Sequence, residues 1–223
     1  MHTADHHRVR TAGPRVSTLL AGTGGAAALV LVLLVTVAIR PLDPADRHLY
    51  KWVHGSPGTA ETTLAKHLTV IGDGVPLITV LLALCVVVRL VWKRWEPLAV
   101  TSLAITFGGA ASTVLKLGAG RDRPPVAGWM SEASGNSFPS GHTTVATAGY
   151  VALALAVAVL VNSPLVRALV VGTGAGLALA IGWTRVELGV HWPTDVLAGW
   201  ALGTAAACAA LACWVLAPPT LRP

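Results

Sequence analysis

Three separated fragments of this chain hold residues whose types suit one kind of chemistry. Lys116 is followed by Arg123 and Pro124; Ser140, Gly141 and His142 follow Pro139; and Arg185, after Thr184, precedes His191 and Asp195. Together they offer three fixed cations, a hydroxyl, a glycine amide, two imidazoles and a carboxylate, an inventory suited to a trianionic phosphoryl group. Lysine acts as a compact point charge, whereas arginine presents a planar fork that can bridge two phosphate oxygens. Taken alone, Lys116 and Arg123 read equally well as a basic loop meeting lipid headgroups. Ser140-Gly141-His142 opens an apolar run, and amides at a helix N-terminus form a ready anion site. An imidazole ordinarily titrates near neutrality, so His142 is placed to exchange a proton with a leaving oxygen, although a plain serine cap beside an incidental histidine has the same sequence. His191 and Asp195 are four apart, which puts both on one helix face. A carboxylate there can keep one imidazole nitrogen protonated and leave the other as a lone-pair nucleophile. The plainer alternative, an ion pair capping the last helix, leaves Arg185, Lys116 and His142 on the same membrane face without a role.

The elements that must hold these residues are long and apolar. Of 223 residues, 54% are hydrophobic and 12% charged, and mean hydropathy is +0.67. Stretches of about 18 to 20 apolar residues suffice to span a bilayer as helices, and six qualify: residues 19–39, 74–92, 97–117, 142–161, 165–183 and 193–216. Lipid offers the backbone no hydrogen-bond partners, so helices are the expected solution. The expectation is an all-α, polytopic six-helix bundle over residues 19–217, with a tail at 1–18, a C-terminal tail at 218–223 and the longest loop at 40–73. The first stretch reads as a retained span rather than a cleaved leader.

The formal charge of +6 is better explained by topology than by nucleic acid, which is not an expected partner. Arg8, Arg10 and Arg15 precede the first span, and Arg89, Lys93 and Arg94 cluster between the second and third. The positive-inside rule places both groups in the cytoplasm, which puts the three chemical fragments on the extracytoplasmic face of a cell membrane. In the 40–73 loop, Asp43, Asp46, Glu61 and Asp73 balance Arg40, Arg47, Lys51 and Lys66. Leu49, Trp52 and Val53, then Leu64, Leu68 and Ile71, suggest short interfacial helices broken at residues 55–58. Such helices either guide a lipid or simply pack on the bundle.

Trp92, Trp95, Trp129, Trp183 and Trp192 read as interfacial anchors. Gly172 with Gly176, and Gly199 with Gly203, read as close-contact pairs between helices. Cys85, Cys208 and Cys213 read as small buried apolar groups. His2, His6 and His7 fall in a short terminal tail where a mobile end is a better reading than a metal site.

The ordered set Lys-x6-Arg-Pro, Pro-Ser-Gly-His and Arg-x5-His-x3-Asp resembles the type 2 phosphatidic acid phosphatase (PAP2) superfamily, in its integral-membrane lipid phosphatase branch. By that resemblance Lys116, Arg123 and Arg185 bind phosphate oxygens, with Ser140 and Gly141 completing the cradle. His191 attacks phosphorus, Asp195 orients it, and His142 protonates the leaving group. A covalent phosphohistidine is then hydrolysed by water, with no cofactor and no required metal ion. Thr184 stands where the family usually has serine, and Arg121 fits a Gly-Arg-x-Arg-Pro variant in a secondary role. The implied activity is removal of phosphate from a membrane lipid. Undecaprenyl diphosphate is the first choice of substrate, then phosphatidylglycerol phosphate, phosphatidate or diacylglycerol pyrophosphate. A non-catalytic lipid-phosphate binder or transporter is the alternative of another class, but it has no use for His191, Asp195 and His142 together. A soluble vanadium haloperoxidase has a similar cradle but is disfavoured by six apolar spans. Oligomeric state is not readable from the sequence.

Overall fold

Local chemistry at the helix ends sets the elements. Thr59 caps one short helix by accepting from the Thr62 amide, and Ser140 and Ser163 cap two long ones in the same way. Prolines occupy the first turn of three long helices, where a missing N–H costs nothing. Gly120 takes a left-handed conformation, φ 57°, and stops its helix at the loop that carries Arg121 and Arg123.

The computed structural model describes residues 16–39 and 43–218, and among these it is all-helical. The helices are α1 (Val16–Ile39), α2 (Asp43–Val53), α3 (Ala60–Val70), α4 (Gly74–Trp92), α5 (Glu96–Ala119), α6 (Gly141–Leu160), α7 (Pro164–Glu187) and α8 (Pro193–Leu216), with a single 3-10 turn at Val126–Gly128. Six of them, all but α2 and α3, are long and apolar enough to cross a membrane. The expected spans are therefore found, with shifts of a few residues at most ends. The N-terminal tail with its histidines and arginines, Arg40, and most of the C-terminal tail lie outside the described residues, while positions 16–18 already belong to α1.

The bundle is built around α6 and α8. In these two, 67% and 61% of the apolar window is buried inside the protein, against 17–28% in the other four spans. The outer helices thus leave most of their apolar surface for lipid. The α6–α8 contact is close because the facing residues are small. A side chain at Gly203 would put its Cβ 2.6 Å from the Thr144 carbonyl oxygen, and one at Gly199 would lie 2.8 Å from Thr143 Cβ. The expected contact pair Gly172 and Gly176 is different: a Cβ at either would meet nothing within 4 Å, whereas one at Gly174 would lie 2.8 Å from the Tyr150 carbonyl oxygen on α6. Two glycines four apart mark one helix stripe, but which stripe faces a partner depends on the helix's rotation in the bundle.

The segment between α1 and α4 forms the two expected short helices, packed over the bundle end where α5 and α7 finish and α6 and α8 begin. The buried face differs from the expected one. Leu49 and Trp52 are exposed, while Asp46 and Tyr50 are buried; in α3 the buried residues are Thr62 and Ala65. Of the cysteines, only Cys85 is buried, and Cys213 is exposed on the bundle's outer surface. At the opposite end lie Arg89, Lys93 and Arg94.

Candidate active site

All eight residues singled out from the sequence lie at one end of the bundle, and the structure joins most of them through hydrogen bonds. Lys116 is in the last turn of α5, and its Nζ donates to the Asn136 carbonyl at 2.9 Å while Asn136 Nδ2 donates back to the Lys116 carbonyl at 2.8 Å. This exchange ties the α5–α6 loop to the end of α5. Arg123 is held from three directions by backbone oxygens. Its Nε donates to Gly135 (2.9 Å), Nη2 to Ser134 (2.7 Å) and Nη1 to Val190 (2.8 Å). A cation fixed before any ligand arrives needs little reorganisation when charge develops nearby.

The same Arg123 Nη1 lies 3.0 Å from His191 Nε2, and His191 Nδ1 lies 3.3 Å from Asp195 Oδ2. Protonation of Nδ1, with its hydrogen directed to the carboxylate, leaves the Nε2 lone pair facing the arginine. Burial, reinforced by Arg123 and Lys116, outweighs the pull of Asp195 and brings the His191 pKa down from 6.5 to about 4. The imidazole is therefore neutral throughout the physiological range, the form a nucleophile requires. Asp195 Oδ2 also accepts from the Trp192 amide at 2.9 Å, which locks the carboxylate in the first turn of α8. The Ser140 amide donates to the Asp195 carbonyl at 3.0 Å, so the α6 and α8 N-termini are pinned side by side.

Ser140 is fully buried, and its Oγ accepts from the Thr143 amide at 3.5 Å, capping α6, and from Thr143 Oγ1 at 2.9 Å. Its own hydroxyl hydrogen is not used in either bond. Gly141 follows at the first helical position; a Cβ there would come 3.5 Å from Lys116 Cε, so the bare backbone lies against the lysine stem. Arg185, 2% exposed, donates from Nη1 to Thr69 Oγ1 at 2.6 Å, while its buried Nε has no partner among the described residues. An orphaned guanidinium donor in such a place suits an incoming anionic oxygen. His142 Nε2 pairs with Asp73 Oδ1 at 3.0 Å. Thr184 turns its hydroxyl back to the Ile181 carbonyl at 2.6 Å, inside α7. Glu187 likewise serves structure, accepting from Thr62 Oγ1 at 3.0 Å.

Sequence reasoning missed the residues that buttress this cluster. Arg121, given a secondary role, donates to Asp195 Oδ1 (2.7 Å), Thr194 Oγ1 (2.7 Å) and Asp46 Oδ2 (2.6 Å). Asp46 in turn accepts from the Thr194 amide at 2.9 Å. Burial disfavours the Arg121 charge, but Asp195 and Asp46 outweigh it and raise its pKa. In Arg123 burial prevails, partly offset by Asp195, and the pKa falls below its ordinary value. A signal for Asp46 was present: it shares one helical face with Tyr50 and Val53, and a carboxylate on the apolar face of an amphipathic helix requires a cation. Trp129 and Trp192 also do more than anchor, donating from their indole nitrogens to the Pro124 and Asp122 carbonyls. A cavity of about 320 Å³ opens on the α1–α2 side of the cluster, lined in part by Arg47, Arg121, Arg123 and Trp192.

A model of the PAP2 superfamily matches residues 97–217, more than half of the chain and all three fragments. The chain belongs to the PAP2 superfamily. Among PAP2 relatives, an undecaprenyl-diphosphatase from Sulfolobus acidocaldarius is 40% identical over 68 residues, 30% of this chain and 29% of that one. A lipid A 1-phosphatase from Rhizobium johnstonii is 33% identical over 108 residues, 44% of this chain and 40% of that one. The matched segments thus span well under half of either relative. A transmembrane PAP2-type phosphatidylglycerolphosphate phosphatase from Bacillus subtilis superposes with a TM-score of 0.75 at 24% identity, covering 85% of this chain and 94% of that structure. The PAP2 membrane fold is shared with it, and the protein is a multi-span membrane protein.

Proposed function

We propose that the protein is a lipid phosphatase that hydrolyses a phosphomonoester or diphosphate through a phosphohistidine on His191, without a required metal ion. The observation that carries this reading is the line Asp195–His191–Arg123: a buried carboxylate, a neutral imidazole, and a fixed cation 3.0 Å from its lone pair. A phosphoryl group entering this site takes over the Arg123 hydrogen bond and frees Nε2 to attack. Lys116, Arg123 and Arg185 neutralise the equatorial oxygens, helped by the Ser140 hydroxyl and the first amides of α6. Phosphoryl transfer depends on such positioning and charge neutralisation more than on elaborate covalent chemistry. As Nε2 bonds to phosphorus, the bond to the leaving oxygen breaks and His142 supplies that oxygen with a proton. Water then attacks the phosphohistidine, His142 takes its proton, and the P–N bond breaks to release inorganic phosphate.

Undecaprenyl diphosphate is the preferred substrate, with phosphatidylglycerol phosphate and phosphatidate next. Both undecaprenyl diphosphate and phosphatidylglycerol phosphate are named for PAP2 relatives or neighbours. The six-span domain at 19–217 sits in the cell membrane with the site on the extracytoplasmic face, since Arg89, Lys93 and Arg94 mark the other end. The test is phosphate release by detergent-purified protein from undecaprenyl diphosphate and phosphatidate in parallel, with EDTA present. Release by wild type and none by His191→Ala is expected, and the faster substrate identifies the lipid class. Equal release by a folded His191→Ala variant would refute the assignment, and no release by wild type would leave a lipid-phosphate binder.

A further inference from the structure

The end of α3 and its turn into α4, outside the three fragments, contribute two polar groups to the cluster. Thr69 takes the Arg185 guanidinium at 2.6 Å, and Asp73 lies 3.0 Å from His142 Nε2. Asp73 stands at the N-cap of α4, where an aspartate ordinarily accepts from its own helix's amides. Here its side chain makes no cap bond, and the carboxylate is directed to the histidine instead. The turn is fixed from both sides. The Gly72 and Asp73 amides donate to Thr69 and Val70, and Tyr150 on α6 donates to the Ile71 carbonyl at 2.8 Å. Gly72 packs so tightly on α7 that a Cβ would lie 2.4 Å from Ile181 Cγ2.

We infer that Asp73 is a positioning residue for the proposed acid–base histidine, holding Nε2 of His142 so that the remaining ring nitrogen exchanges the proton, and stabilising the imidazolium that donates it. This rests on the phosphatase reading given above. The charged groups acting on His142 are Arg185 from α7, Arg123 from the α5–α6 loop and Asp73 from the α3–α4 turn. Burial and the two cations oppose a protonated imidazole, and the carboxylate 3.0 Å from Nε2 is the group that favours it. The two pairs differ in the exposure of their carboxylates. Asp195 orients His191 in a buried site that keeps it neutral, whereas Asp73, with its side chain 62% exposed, supports a His142 that must gain and lose a proton in each cycle. In phosphohistidine formation the His142 proton passes to the leaving oxygen; in its hydrolysis the proton returns from the attacking water. Each turnover therefore restores the His142–Asp73 pair.

The experiment is the pH profile of kcat/KM for wild type, Asp73→Asn, Asp73→Ser and Asp73→Glu, on whichever of undecaprenyl diphosphate and phosphatidate the wild type hydrolyses faster. Asparagine and serine both start helices well, so α4 is retained without the charge. The neutral variants are expected to lose about tenfold at the optimum. Their alkaline limb should move about one pH unit lower, and Asp73→Glu should restore it. An alkaline limb unmoved in both neutral variants would overturn the inference, whatever their rates, because a merely structural turn lowers activity without moving the limb. A wild type inactive on both lipids would instead overturn the phosphatase reading itself, a result distinct from an active enzyme indifferent to Asp73.

Discussion

At the scale of single residues the site is a balance between burial and charge, and His191 shows it most clearly. Burial lowers its pKa to about 4, whereas an unfolded chain binds the proton near 6.5. Between these values the unfolded state holds more protons than the folded one, so stability is full above pH 6.5 and is lost as pH falls to 4. The loss amounts to about 3 kcal/mol. A His191→Gln variant lacks this contribution, so melting of the detergent-solubilised protein should be less steeply pH-dependent in the variant across that window. Parallel curves would show that the folded imidazole titrates like the unfolded one. Lys116, Arg123, Ser140, His142, Arg185, His191 and Asp195 were legible in the sequence because few reactions need that mixture in that order. The pairings of Asp46, Thr69 and Asp73 were not, because their partners Arg121, Arg185 and His142 are 75, 116 and 69 positions away. Hydrophobic periodicity does not reveal pairings across such distances.

At the scale of elements, the six spans were legible because the bilayer imposes their length. How they rotate against one another was not. Between helices in lipid there is no hydrophobic driving force, so close van der Waals contact must hold them. That makes the α6–α8 seam the critical element, since it also brings Ser140 and His142 beside His191 and Asp195. A Gly203→Leu substitution must push α8 away from Thr144 and Thr147, whereas Gly172→Leu meets nothing within 4 Å. The first should abolish monodisperse, active protein, and the second should elute from size exclusion and turn over like wild type. Equal behaviour of the two would mean that the seam tolerates expansion. The short helices α2 and α3 follow the same logic. Their apolar residues advertised an interfacial segment, but their buried faces include the polar Asp46 and Thr62, and they reach the candidate site through Asp46 and through the turn that ends in Asp73.

At the scale of the whole molecule, the chain gathers the candidate site's charged residues at one end of a membrane-spanning bundle. There α5 and α7 end and α6, α8 and α4 begin, with α2 and α3 packed against α7 and α8. On the proposed reading, the apolar body keeps the protein in the bilayer with its lipid substrate, while the polar end holds the phosphate. The central claim is that His191 becomes covalently phosphorylated. The most direct measurement is rapid quench into alkaline detergent of wild type and His142→Ala turning over a lipid phosphate labelled on its terminal phosphoryl group, followed by peptide mapping at alkaline pH. The account predicts label on the peptide containing His191, stable to alkali and lost in acid, and persisting longer in His142→Ala. Turnover with no label on His191 in either protein, or label on another residue, would contradict it.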